Sequence, residues 1–296
     1  MSTPLGPFAF ERFSLFISCM KLLFSFALSG AVWLAAGPDA VAQQKPSSPY
    51  KTRFVVDAPV TLGLAGLSAT GLYLVRQKSG LSDTELAALN KNDVPRIDRF
   101  AAGKYSESAQ TTSDILCYGS LVVAPGLLAL SPAARGRYGQ VAALYLETML
   151  VTDAIFTLSV GNVYRYRPYL YGPEGGDGRS GKIATNSFFA GHTAHTATAT
   201  FFAAKVFHDF NPDSPAQPFV WGAAALVPAA VAYYRIEAGK HFLIDNLVGY
   251  VVGATVGVLI PQLHKKAGRP GFSLLPMQGL NVNGHAYSGL LITRRL

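Results

Sequence analysis

The chain has 296 residues, of which 50% are hydrophobic and only 14% charged, against roughly 25% charged in an ordinary soluble domain. This excludes a disordered chain and points away from a soluble globular one, toward a single helical membrane unit. The 25 Lys and Arg against 17 Asp and Glu give +8. These basic residues punctuate apolar runs and do not gather on one polar face, which argues against nucleic acid as a partner and for membrane orientation plus binding of an anionic substrate.

In chain order, residues 1–42 read as an export signal. Arg12 and Lys21 precede the apolar stretch Leu22 to Ala36, and Ala40-Val41-Ala42 before Gln43 is a small-x-small cleavage pattern. An uncleaved first transmembrane helix is the alternative. Cleavage would remove Cys19 and leave Cys117 as the one thiol, so neither an internal disulfide nor a cysteine metal site is expected. Residues 43–53 form a polar linker.

Residues 54–262 are expected to be the membrane-embedded domain, an all-α bundle of about six helices, with apolar spans near 58–75, 114–130, 140–163, 193–207, 218–236 and 243–260. The spans at 193–207 and 114–130 are short, so protein instead of lipid is expected to shelter part of them. Pro125-Gly126 suggests a break in the second of these. The repeated spacing of Gly249, Gly253 and Gly257 reads as close helix packing within the bundle. The polar segment 76–113 should carry a short interfacial helix opened by a Ser82/Glu85 capping box. The tail from 263 to 296 is basic at first (Lys265, Lys266, Arg269) and then strand-like around Asn283-Gly284, suggesting a small hairpin.

Three short segments carry the chemistry. Tyr164-Arg165-Tyr166-Arg167-Pro168 follows the third span. Proline disfavours helix at the preceding residue, so Arg167 should stand at a helix end, either anchoring the helix or offering its planar fork to phosphate oxygens. Asn186-Ser187-Phe188-Phe189-Ala190-Gly191-His192-Thr193 opens the fourth span. A helix N-terminus with glycine favours an anion, and a histidine there can give a proton to a leaving group. His192 and His195 share a helix face, but two histidines without a third ligand make a poor metal motif, and His195 reads as a packed side chain. The third segment runs from Tyr234 to Asp245. Arg235 and Lys240 flank His241, and Asp245, four residues on, is expected to accept a hydrogen bond from one ring nitrogen and leave the other as a nucleophile. A structural helix cap is the alternative for this pair.

Together, Arg167-Pro168, Gly191-His192 and Arg235-x5-His241-x3-Asp245 resemble the signature of the type 2 phosphatidic acid phosphatase and vanadium haloperoxidase superfamily, K-x6-R-P, P-S-G-H and S-R-x5-H-x3-D. The likeness covers roughly residues 114–260. It implies hydrolysis of a phosphate ester or pyrophosphate through a phosphohistidine on His241, oriented by Asp245, with His192 as the acid and Arg167, Arg235 and the Gly191 backbone holding phosphoryl oxygens. It implies no metal and no cofactor. A lipid phosphate in the bilayer is the expected substrate. A soluble periplasmic acid phosphatase, a vanadate haloperoxidase, and an eroded protein that only binds lipid phosphate are the alternatives.

The chain departs from the pattern at four positions. Val160 stands in place of the lysine, Phe189 in place of the proline, Ala190 in place of the P-S-G-H serine and Tyr234 in place of the serine before the second arginine. Arg165, Lys182 or Lys240 is expected to substitute for the missing lysine. Arg135 and Arg137, with Lys265, Lys266 and Arg269, are expected on the cytoplasmic side, which puts the motifs at the periplasmic face of a bacterial-type inner membrane. A cleaved signal followed by three full spans gives the opposite sidedness. Neither the oligomeric state nor the particular phosphate is legible.

Overall fold

The computed structural model describes residues 47–266, 272–280 and 286–294. The expected signal, its cleavage after Ala42, Cys19, Arg269 and the Asn283-Gly284 turn lie outside the described residues. Six long helices follow one another: α1 Phe54–Gln77, α2 Glu107–Leu130, α3 Tyr138–Asn162, α4 Gly191–Phe210, α5 Gln217–Glu237 and α6 Leu243–His264. Each of the six segments expected as a span is helical, but α4 falls short of the combination of length and apolarity that crossing a membrane needs. Among the described residues five helices, α1, α2, α3, α5 and α6, are long and apolar enough to cross a membrane. Beyond the bundle, β1 Phe272–Leu280 pairs antiparallel with β2 Ala286–Arg294, as the hairpin reading expects.

Helix α4 is less apolar because it meets protein on several sides, packing against α2, α3, α5 and α6. Its buried positions are mostly Ala and Thr, small enough for close approach, and the hydroxyls find partners across helices. Thr198 bonds Thr152 at 2.7 Å and Thr193 donates to Asn246 at 2.7 Å. The glycine stripe of α6 lies along this seam: a Cβ at Gly249 or Gly253 would overlap the carbonyl oxygen of Ala190 or Ala194, and one at Gly257 would press on Thr198 O. The stripe therefore holds two helices of one chain together.

The expected break at Pro125 does not occur, and α2 runs through it to Leu130. Proline lacks an N–H and so strands the carbonyl four residues earlier. That carbonyl, Leu121 O, accepts the Tyr145 hydroxyl of α3 at 2.9 Å. Pro228 in α5 is treated the same way, with Ala224 O accepting from Thr200 Oγ1 of α4 at 2.9 Å. In an apolar surround an unpartnered carbonyl costs several kcal/mol, and each hydroxyl removes that cost.

The segment between α1 and α2 keeps the expected capping box. Ser82 accepts from Glu85 N at 3.3 Å, and the Glu85 carboxylate accepts from Ser82 N at 2.8 Å. The helix it opens is only Asp83–Ala87, and Lys91–Asp93 and Arg99–Ala101 are further single turns. Instead of one interfacial helix, the segment folds over the helix ends. Val94, Ala101 and Ala102 pack on Ile236 and Phe242, and Leu81 packs on Tyr169, Leu170 and Ala184. It thus clamps the loops that carry the motifs. At the other end of the bundle Tyr50 pairs with Lys265 as an isolated bridge, and Gln140 donates to Tyr50 O at 3.2 Å.

Candidate active site

The three motif segments meet at the end of the bundle covered by the 78–106 segment, where α3 and α5 finish and α4 and α6 begin. Helix α5 stops at Glu237, and Gly239 adopts φ 67°, a left-handed turn whose backbone also touches Lys104. That turn brings His241 under the loop after α3, where it is 3% exposed.

His241 Nδ1 lies 2.6 Å from the backbone oxygen of Ser187. A carbonyl only accepts, so Nδ1 carries the proton and Nε2 presents a lone pair. Sequence reasoning assigned this orienting bond to Asp245, and the structure corrects it. The four-residue spacing presumes a helix, but α6 starts at Leu243, so His241 lies outside it. Asp245 instead accepts from Phe242 N at 2.9 Å, as a helix cap, and from Ser187 Oγ at 2.6 Å. The aspartate and the histidine are linked through the two ends of one serine.

Arg167 donates to three backbone carbonyls, Ile183 at 2.9 Å, Asn186 at 3.1 Å and Lys240 at 3.2 Å. These bonds use three of its five N–H groups, and among the described residues no carboxylate forms an ion pair with it. Burial, and then the charge of Arg235, lower its pKa to about 10, so the guanidinium stays charged at neutral pH. Burial, then Arg167, then Arg235 hold His241 well below its ordinary value and keep its imidazole neutral. Arg235 Nη1 sits 3.1 Å from Asp114 Oδ1, and the same oxygen lies 3.0 Å from His192 Nε2. Gly191 is closed over by the Phe156 ring, which a Cβ would overlap. His195 packs edge-on against Phe156 and faces Asp153 at 3.3 Å, as a packed side chain should.

Two of the three substitutes proposed for the missing lysine are engaged elsewhere. Arg165 lies 2.6 Å from Asp98 Oδ2 and 3.0 Å from Asp245 Oδ1, so it is spent on two buried carboxylates. Lys182 donates to Arg76 O at 3.0 Å at the surface. Lys240 Nζ lies 5.1 Å from the centre of the Tyr169 ring. A different lysine reaches Val160. Lys78, just past α1, is 2% exposed, and its Nζ donates to Val160 O at 3.0 Å, Val163 O at 2.8 Å and Asn186 Oδ1 at 2.6 Å, with Thr185 O at 3.3 Å. Burial and the Arg167 charge lower its pKa to about 8.

Sequence reasoning missed Lys78, Asp98, Asp114 and the bridging part of Ser187. Asp114 had a usable signal, since an acid in an apolar span is costly and tends to be functional. Nothing local marks Lys78 or Asp98, whose partners lie far along the chain.

The PAP2 superfamily model matches residues 141–269. The match identifies this segment as PAP2. The PAP2 segment contains Arg167, Gly191, His192, Arg235, His241 and Asp245, whereas Lys78, Asp98 and Asp114 precede it. Among solved structures, the chain is similar to the first transmembrane PAP2 type phosphatidylglycerolphosphate phosphatase from Bacillus subtilis, at 15% identity and a TM-score of 0.41, over 70% of this chain and 94% of that one. No curated protein matches the chain.

Proposed function

We propose that the chain is a membrane phosphatase that hydrolyses a lipid phosphate monoester or pyrophosphate without a metal, through a phosphohistidine on His241. Membership of the matched segment in the PAP2 superfamily supports a phosphatase, and five apolar helices favour a membrane enzyme over the soluble alternatives. The observation that carries the assignment is the Nδ1–H bond from His241 to Ser187 O, which leaves Nε2 as a lone pair on a neutral ring beside Arg167 and Arg235.

In the first step Nε2 attacks phosphorus, the bond from phosphorus to the leaving oxygen breaks, and the His192 imidazolium gives that oxygen its proton. In the second, water attacks the phosphohistidine while His192 takes the water proton, and phosphate leaves with the N–P bond broken. Arg167, Arg235 and the Gly191 N–H hold the equatorial oxygens, where most of the catalytic effect in phosphoryl transfer arises. Asp114 stabilises the imidazolium of His192, and Asp245 holds Ser187, and through it His241. Lys78 is a positioning residue that ties Asn186, a carbonyl partner of Arg167, to the end of α3.

The site faces the periplasm of a bacterial-type inner membrane in this reading. Lys265 supports it by lying at the end away from the motifs, as do Arg135 and Arg137 in the turn between α2 and α3. Phosphate release by the purified protein, from a panel of phosphatidate, phosphatidylglycerol phosphate, an isoprenoid pyrophosphate and lipid A in detergent, is the test. His241→Ala should lower kcat by more than about 10³-fold. Because the imidazole titrates well below 6.5, activity should persist as pH falls through 6 and fail only at lower pH. Equal turnover by wild type and His241→Ala on every lipid overturns the mechanism.

A further inference from the structure

At the end of the bundle away from the motifs, three ligating side chains from α1, α3 and α6 converge. His264 Nε2 is 3.6 Å from Asp57 Oδ1 and 3.6 Å from Glu147 Oε2, and the three ligating atoms lie within 4.8 Å of one another. His264 Nδ1 lies 3.0 Å from Ile260 O, a carbonyl that can only accept. The ring proton is therefore on Nδ1, and Nε2 points a lone pair at two carboxylate oxygens. With the ring neutral and both acids ionised, three acceptors face one another, and among the described residues no other side chain pairs with them from between. The Glu147 side chain is 9% exposed, and its Oε2 faces His264. Asp57 has its other oxygen held by Arg53 N at 2.6 Å, which fixes the carboxylate with Oδ1 turned inward.

We propose that Asp57, Glu147 and His264 form a divalent-cation site of the kind zinc occupies, clasping α1, α3 and α6. One imidazole nitrogen and two carboxylate oxygens are a zinc donor set, with a fourth position left for water. Bonds of about 2.0–2.2 Å in a tetrahedral shell put donors roughly 3.3–3.6 Å apart, the spacing found from His264 to each carboxylate. Charge points the same way. Two carboxylates and a neutral imidazole carry −2, which a divalent ion closes to zero, whereas a proton on His264 would leave −1 partly buried. Asp57, with its side chain 22% exposed, gives the ion an entry path. The bond from His264 Nδ1 to Ile260 O is of the kind a metal-bound histidine needs to keep its tautomer. The sequence reading, which expected no metal, had nothing to find, because the three ligands share no local motif.

The experiment uses the full chain in detergent, stripped with EDTA and titrated with zinc chloride. About one equivalent should bind at micromolar or lower concentration and raise Tm. Glu147→Gln and His264→Gln should each weaken binding at least about 10-fold, and Asp57→Asn serves if either fails to fold. Absence of a bound equivalent in the wild type, or binding unchanged in the folded variants, overturns the site. Phosphate hydrolysis should survive both stripping and the variants, because the clasp is remote from His241. Loss of zinc binding and loss of turnover thus report on the two readings separately.

Discussion

The two ends of the bundle hold buried charge in opposite ways. At the motif end, Arg167 hydrogen-bonds three carbonyls, with no ion pair among the described residues, and lies near enough to Arg235 for the two charges to repel. At the other end, Asp57 and Glu147 converge on a histidine whose proton is turned away. Beside that cluster is a closed one, in which Asp209 is paired with Lys205 and Lys265 and accepts the Tyr50 hydroxyl. The difference teaches how to tell a ligand site from a structural network. A network that only stabilises gives each buried charge a partner of opposite sign, because an unpaired buried charge costs several kcal/mol. A site leaves the balance to its ligand, an anion at one end and a cation at the other.

That contrast can be broken by substitution. The largest effect belongs to Arg167. Arg167→Lys keeps the charge but loses the fork and the three carbonyl bonds, and kcat/KM for phosphate hydrolysis should fall by about 10²–10³. A change under about threefold would mean that the unbalanced guanidinium is not a phosphate ligand.

Lys78 should give a smaller and pH-dependent effect. Lys78→Met should lower kcat about 10-fold with little change in KM, as loss of positioning does. In the wild type the ammonium gives up its proton as pH rises through about 8, and an amine has too few donors for the oxygens around it. Turnover should therefore decline above that pH. Besides the oxygens it donates to, the Arg167 charge and the Tyr164 ring, at 4.3 Å from its centre, face Nζ, and among the described residues no carboxylate pairs with it to hold the proton. Lys78→Arg should move the decline out of range, and an unchanged profile in that variant removes Lys78 from the explanation.

The smallest effect on turnover is expected at the closed cluster. Asp209→Asn should lower stability by about 2–3 kcal/mol, read as a lower Tm in detergent, with kcat within twofold of wild type. A large loss of turnover there would show that the two ends are not independent.

Much of the bundle was legible in the sequence, because apolar runs of nearly 20 residues and the Ser82/Glu85 cap are local signals. The motif spacings also brought Arg167, Gly191, His192, Arg235, His241 and Asp245 to one end. Three things were not legible. Pro125 reads as a break until Tyr145 is known to lie beside it. The Asp245–His241 contact fails because a helix begins two residues later than an i, i+4 pair requires. The basic residues of the 76–113 segment look like topology signals, yet Lys78 and Arg99 are bonded to carbonyls and Lys104 to Glu237. In each case the deciding partner is distant in sequence.

The hydroxyl on Ala224 O has a consequence for the catalytic end. A helix can slide along its neighbour at small cost when only methyl groups touch, but Thr200 Oγ1 meets Ala224 O of α5 as well as Thr196 O and Ala197 O of its own helix, and a shift of one turn, about 5.4 Å, would strand the α5 carbonyl among apolar side chains. The axial position of α5 is thus gauged against α4 from mid-span. Arg235 rides on the same rod about three turns further on, and His192 sits about two turns from Thr200 on the other. A single threonine near the middle of α4 works as a spirit level for two side chains of the proposed site that it never touches.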